Sequence, residues 1–195
     1  MFKSLPVLMF AAAAMAPLGS HAADVRTIIK AGYDVGGDSV VDVVGKSIDA
    51  NKGAFVGLGA SILKDSKDIE VEISFSYKFS RVAAQDADID WTVLPLDALV
   101  FYRLPNFRLG GGLTYRLSPT LKGSKAASGL NAKYDNALGF VLQADYVLDN
   151  RFTIGLRYTS VDYKLNSIQA SPLIATPAPN PKARGIGVVF SIASF

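Results

Sequence analysis

The stretch Asp68 to Ser80, DIEVEISFSYKFS, alternates strictly between apolar and polar residues. Ile69, Val71, Ile73, Phe75, Tyr77 and Phe79 fall on one parity, while Glu70, Glu72, Ser74, Ser76, Lys78 and Ser80 fall on the other. A period of two over that length is a β-strand with one apolar face and one polar face. The scheme recurs in Val25 to Asp34, Gly53 to Ile62, Trp91 to Arg103, Phe107 to Leu117, Asn136 to Leu148, Phe152 to Ser160 and Arg184 to Phe195. Together these segments predict eight strands, an even number.

The links between them alternate in length. LKDSKD after Ile62, LPNF after Arg103 and DNR after Leu148 have the Asp, Asn and Pro content of tight turns. Gly36 to Asn51, Arg81 to Asp90, Ser118 to Asp135 and Asp162 to Ala183 are long polar segments, the last rich in proline. Short links on one side and long links on the other describe an up-and-down meander with its turns at one end and its loops at the other.

Alternation alone fits both a soluble barrel or sandwich, apolar inside, and a membrane barrel, apolar outside. The N-terminus bears on this choice. MFKSLPVLMFAAAAMAPLGSHA carries Lys3, an apolar run from Leu5 to Leu18, and the small-x-small pattern Ser20-His21-Ala22. That is the pattern of a secretory signal peptide over residues 1–22, leaving a mature domain over 23–195. The single histidine leaves with it, and losing Lys3 lowers a formal net charge of only +3. Nothing in that balance points to nucleic acid or another polyanion. The chain has no cysteine, so disulfides and zinc-thiolate sites are excluded. Beyond the leader no apolar run reaches the length of a membrane-spanning helix; the longest, TVLPLDALVFY, is interrupted by Asp97.

The aromatics decide the direction of the apolar face. With the short turns taken as periplasmic, Tyr102, Phe107, Tyr146 and Phe152 fall at the periplasmic ends of their strands, and Tyr33, Tyr77, Phe79, Tyr115 and Tyr158 fall toward the other rim. Two girdles at two heights are the mark of a membrane barrel. Eight strand steps from Phe107 to Tyr115, tilted by about 40°, rise roughly 20 Å, close to the ~25 Å apolar band of such barrels. The fold class expected is therefore all-β: an eight-stranded antiparallel up-and-down transmembrane β-barrel in an outer membrane. The other parity carries Arg26, Lys30, Glu70, Glu72, Lys78, Asp97, Arg103, Arg108, Arg116, Asp145 and Arg157. In so narrow a barrel these charges face the lumen and satisfy one another as ion pairs, with Glu70 or Glu72 expected opposite Arg108 or Arg116. Gly53, Gly57, Gly59, Gly110, Gly112, Gly139 and Gly155 share that parity and are expected to make room for the long Arg and Lys side chains.

The stretches FRLGGGLTYRLSP, LGFVLQADYVLDN and FTIGLRYT, with the terminal Phe195, make the mature chain resemble the eight-stranded outer-membrane barrels of the OmpA and OmpX type. The resemblance implies a Gram-negative outer membrane and insertion by the barrel-assembly machinery, for which a C-terminal aromatic such as Phe195 is the usual assembly signal. The chain itself is expected to stop at the barrel, with no periplasmic peptidoglycan-binding domain. One detail departs from the pattern. Phe195 shares a parity with Ala193 and Ser191, whereas Ile186, Val188, Phe190 and Ile192 lie on the other; a bulge near Ser191 would reconcile them, and without one the register of the last strand is open.

Catalysis is disfavoured. Outer-membrane barrels that hydrolyse lipid or peptide generally use a histidine with Ser, Asp or Glu, and the mature chain has none. Gly45-Lys46-Ser47 ends like a phosphate-binding loop, but Val40 stands where that loop needs glycine. Asp86, Asp88 and Asp90 have the alternate spacing of a calcium loop, yet Trp91 occupies the position of its turning glycine. They read as a solvated acidic loop, with weak divalent-ion binding beside lipopolysaccharide phosphates as the alternative. No cofactor is implied. Two functions remain: a structural and surface-interaction protein whose outer loops contact lipopolysaccharide or another surface ligand, or a narrow porin-like diffusion channel. Mixed charge in the lumen favours the first.

Overall fold

In a computed structural model the described residues are 24–43, 46–63, 68–83, 87–125, 127–149, 151–169 and 176–193. The expected leader 1–22, and with it Gly45, Asp86 and Phe195, lies outside them. The described chain forms twelve strands: β1 (Asp24–Gly36), β2 (Ser39–Val43), β3 (Lys46–Asp49), β4 (Gly53–Leu63), β5 (Ile69–Ala83), β6 (Ala87–Arg103), β7 (Phe107–Lys125), β8 (Asn131–Tyr134), β9 (Ala137–Val147), β10 (Phe152–Asp162), β11 (Leu165–Gln169) and β12 (Lys182–Ala193).

Eight of them close a barrel. Each is antiparallel to the next in the order β1, β4, β5, β6, β7, β9, β10, β12, and β12 returns to β1 through Ile28↔Ala193 to Gly36↔Gly185. Closure pairs the edges of the barrel wall, which in lipid is the only way an open ladder can be satisfied. The eight alternating segments of the sequence are these eight strands. Along β5 every apolar residue from Ile69 to Phe79 is exposed, while Glu70, Glu72, Ser74, Ser76 and Lys78 are buried. The apolar parity therefore faces out and the polar parity in, as a membrane barrel requires. Among the described residues, which end at Ala193, no bulge occurs near Ser191. β12 pairs both neighbours without a register shift through Ser191, so Ser191 points inward and Ile192 outward.

The LPNF link closes as a turn, with the Leu104 N–H donating to the Phe107 carbonyl at 2.7 Å, while residues 64–67 of the first short link lie outside the described residues. In the turn after β9, the Asp149 carboxylate accepts hydrogen bonds from the backbone N–H groups of Arg151 and Phe152, both at 2.7 Å. Those bonds favour the ionised form and hold this exposed carboxyl below its usual range.

The long segments are not the polar loops that composition predicted. β5, β6 and β7 continue through them to Ala83, Ala87 and Lys125. β8 adds to the outer end of β7, and β11 adds to β8, so the wall grows an extension beyond the barrel. β2 and β3 form a separate hairpin. Two irregularities let the tall strands bend: the register shifts between Thr92 and Leu94, and Ser118 opposite takes φ 48°. Gly36 and Gly37, at φ 96° and 92°, supply the left-handed turn that lifts the chain off β1.

Candidate functional site

The inward side chains of five strands build a continuous charged chain in the half of the interior nearer the short turns. Glu70 accepts from Ser61 Oγ at 2.6 Å, from Arg103 at 3.0 Å and from Arg108 at 2.7 Å. Arg108 continues to Glu72 at 3.1 Å and to Asp145 at 2.6 Å, with its guanidinium 4.2 Å over the Phe101 ring. Glu72 offers its other oxygen to Lys30 at 2.5 Å, and Gln143 donates to Asp145 at 3.0 Å. Arg26 lines the mouth at the short-turn end beside Glu70, Arg103 and Arg108. Ions taken out of water repay the desolvation only where geometry and hydrogen bonding are complete, and here each carboxylate has at least one cation.

A second layer lies further out. Arg157 reaches Asp97 at 3.0 Å while the Thr114 hydroxyl donates to the other Asp97 oxygen at 2.5 Å. The Arg157 guanidinium lies 5.3 Å from the Phe55 ring centroid. Lys78 donates to Asp34 at 2.6 Å, to Asn51 Oδ1 at 3.1 Å and to the Asn51 carbonyl, which ties the turn before β4 to the barrel wall. Of the two arginines expected opposite Glu70 or Glu72, Arg108 takes both carboxylates, and Arg116 stands apart. It is buried, meets neither Glu70 nor Glu72, and makes no ion pair among the described residues; its Nε and one terminal nitrogen have no hydrogen-bond partner.

The glycines relieve crowding, but not chiefly from Arg and Lys. A Cβ on Gly155 would stand 1.7 Å from Asp145 Oδ1, and one on Gly110 would strike the Phe101 ring at 2.5 Å. At the other five positions the nearest atoms are neighbouring backbone carbonyls and small side chains such as Ser76, so it is the close strand itself that takes the space.

Beyond Lys78 the interior changes from charged to apolar. Trp91 and Val93, on the inward parity of β6, pack with Val161, Ala137 and Ala183 from other strands. Residues from the long segments complete this core: Val40, Val41 and Ile48 from the first, Leu121, Leu130 and Tyr134 from the third, Tyr163 from the fourth. The rings of Tyr134 and Tyr163 meet the Trp91 indole edge-on at 5.4 and 5.6 Å. The Tyr134 hydroxyl donates to the Ala178 carbonyl at 2.9 Å, and burial pushes both phenols up to about 12. This cap was not anticipated. Its signal was present as Val40-Val41, Trp91, Leu130, Tyr134 and Tyr163 inside segments that are polar on average.

The acidic run is corrected as well. Asp88 and Asp90 lie in β6 rather than a loop and engage cations: Asp90 takes Arg81 bidentately at 2.5 and 3.1 Å, and Asp88 takes Lys125 at 2.9 Å. No group of three potential metal ligands occurs among the described residues.

A closed barrel with an apolar exterior has its counterpart among known families: the model for the outer membrane protein beta-barrel domain matches residues 4–192. The chain belongs to that family. No curated protein matches it. Among solved structures, that of Ail, the attachment invasion locus protein of Yersinia pestis, in complex with the heparin analogue sucrose octasulfate, is 15% identical with a TM-score of 0.57; the match covers 89% of this chain and 99% of that one. A second Ail structure gives 15% identity and a TM-score of 0.50, covering 88% and 97%. OprG of Pseudomonas aeruginosa gives 18% identity and a TM-score of 0.47, covering 89% and 97%.

As an outer-membrane barrel, the protein turns its exposed apolar face to lipid. Tyr102, Phe107, Tyr146 and Phe152 are exposed near the short turns, with Phe107 and Tyr146 register partners whose rings meet edge-on at 5.1 Å. Tyr33, Tyr77, Phe79 and Tyr115 are exposed toward the other end, where Tyr77 and Phe79 stack at 5.9 Å. Tyr158 is only partly exposed, tucked against Phe140 at 6.0 Å.

Proposed function

We propose that the protein is a side-chain-filled barrel that acts at the cell surface through its extracellular strands, without catalysis. The observation that carries this reading is the succession along one interior: the Glu70–Arg108–Glu72–Lys30 chain, then Asp97–Arg157 and Asp34–Lys78, then the apolar core around Trp91. Opposed charges followed by packed apolar side chains leave no unbroken polar path for ions. The aromatic sets at the two ends serve as interfacial girdles in a Gram-negative outer membrane. Residues 1–22 act as the export signal, and Phe195 as the feature read by the barrel-assembly machinery.

The surface role rests on what the extension displays. Among the described residues β11 pairs as a strand with β8 alone, though its first residue, Leu165, also donates to the Pro179 carbonyl at 2.8 Å, and it carries Ile168 exposed, an edge suited to adding a strand from a partner. Lys122 and Lys133 are exposed on neighbouring strands of the same wall, the chemistry that lipopolysaccharide phosphates would meet. Single-channel recording in planar bilayers tests the filled interior. Silence is expected, and a steady conductance from folded protein would replace this reading with that of a narrow channel.

A further inference from the structure

The outward face of the barrel wall is not evenly filled. Ala144 on β9 is the register partner of Leu109 on one side and of Leu156 on the other, a short residue between two long ones. Leu142, two positions further out, leans over Gly111, and one of its methyls lies 2.9 Å from where a Cβ on that glycine would stand. Tyr158, partner of both Leu142 and Ile186, stands at the outer end of the gap. The result is an open apolar groove of about 410 Å³ lined by Leu109, Leu142, Ala144, Leu156, Tyr158 and Ile186.

Cations stand above this groove on the same strands. Arg184 precedes Ile186 on β12 by two residues, roughly 7 Å toward the long segments, and Lys182 lies two residues beyond it. Their register partners on β10 are Ser160 and Asp162. Asp162 comes within 3.7 Å of Arg184, but it is 63% exposed, and a pair so open to water is worth little. The other acids nearby are engaged: the Asp38 carboxylate accepts from the Lys182 N–H at 3.0 Å, and that of Asp135 accepts from Asn166 at 2.5 Å. Lys164, two residues past Asp162, adds a third exposed cation. A soluble anion would leave the groove unused, and a plain hydrocarbon would leave the cations unused. The arrangement fits an anionic amphiphile.

We propose that this strip of β9, β10 and β12 is a specific site for one molecule of lipid A, its phosphate held by Arg184 and Lys182 and an acyl chain lying in the groove against Ala144. A guanidinium beside an ammonium suits a phosphate in both charge and geometry. The inference rests on the reading that the long segments face outside, and it is independent of Lys122 and Lys133 and of whether the interior conducts.

Native mass spectrometry of the full barrel, refolded in detergent and titrated with hexa-acyl lipid A, tests the site. One tightly held lipid A per barrel is expected. Ala144→Phe, which fills the notch, should weaken retention roughly tenfold or more, and so should the double change Lys182→Gln with Arg184→Gln or removal of the phosphates from the lipid. Ala98→Phe, also on the lipid-facing parity but outside the groove, should leave retention unchanged. Should Ala144→Phe fail to give the heat-modifiable folded band, Ala144→Leu fills the same notch with less bulk. Equal loss in Ala98→Phe and Ala144→Phe, full retention in the double variant, or a preference for phosphatidylglycerol over lipid A overturns the proposal. Silent bilayer recordings of the same protein would in that case leave the filled interior standing.

Discussion

Lys78 and Asp34 meet at 2.6 Å across the barrel interior, at the level where the charged layers end and the apolar cap begins. The two residues come from β5 and β1, with β4 between them, and Lys78 also takes the Asn51 carbonyl that leads into β4. One ammonium thus joins three strands and anchors a surface turn.

Breaking that contact from one side should be costly. Lys78→Met leaves Asp34 buried without its cation and is expected to lower folding free energy by about 3–5 kcal/mol in a urea titration in lipid vesicles. The double change Asp34→Leu with Lys78→Met should recover most of the loss. A single variant as stable as wild type would show that the carboxylate finds another partner.

The lipid-facing parity is tested by neighbours in sequence. Ile73 is exposed at mid-strand and Ser74 is buried beside it. Ile73→Arg should cost roughly 2–4 kcal/mol at the bilayer midplane and impair insertion, whereas Ser74→Ala should fold almost as well as wild type. Folding yield read from heat-modifiable gel migration separates the two, and equal behaviour would reverse the assignment of faces.

Trp91 is the only tryptophan of the chain and is fully buried in the cap, so it reports on the cap alone. Its emission should be blue-shifted and protected from acrylamide. Trp91→Ala should destabilise the cap by about 3–5 kcal/mol and open the outer segments to protease while the barrel keeps its heat-modifiable migration. Loss of the folded band instead would show that cap and barrel form one cooperative unit.

Alkaline titration should loosen the cap before the barrel. Tyr134 and Tyr163 are held neutral up to about 12, above the ordinary phenol value near 10. A raised folded-state value means that their stabilising contribution is complete below about pH 10 and is lost as pH rises toward 12, because the unfolded phenols ionise first. Phenolate absorbance should therefore include a late component that coincides with a red shift of Trp91 emission. A tryptophan signal that moves well below pH 10 would contradict this.

The barrel was legible because its physics is local and periodic. Ile69 to Phe79 state their outward face in their spacing, and each strand repeats the statement. Ion-pair partners were legible only as a set, since parity says that Glu70, Glu72 and Arg108 share the lumen but not which of them touch. Arg116 illustrates the limit: its parity put it among the acids, while its height, set by the register Arg116↔Ala137, lifted it past Glu70 and Glu72. The cap was hidden for a different reason. Val41, Trp91, Tyr134 and Tyr163 come from separate polar segments, and a core assembled from single residues of distant loops leaves no period to read. The register of the last strand was open in the sequence because Phe195 and Ile192 fall on opposite parities; the pairing Lys30↔Ser191 turns Ser191 inward.

The shared core of the outer segments has an evolutionary consequence. Loops that each floated free could change sequence independently; here Val41, Leu130 and Tyr163 touch a common interior, so a substitution in one segment alters what the others tolerate. Variation in these segments should then concentrate on exposed positions such as Lys122, Lys133 and Ile168, and changes at the core positions should arise as correlated sets rather than singly.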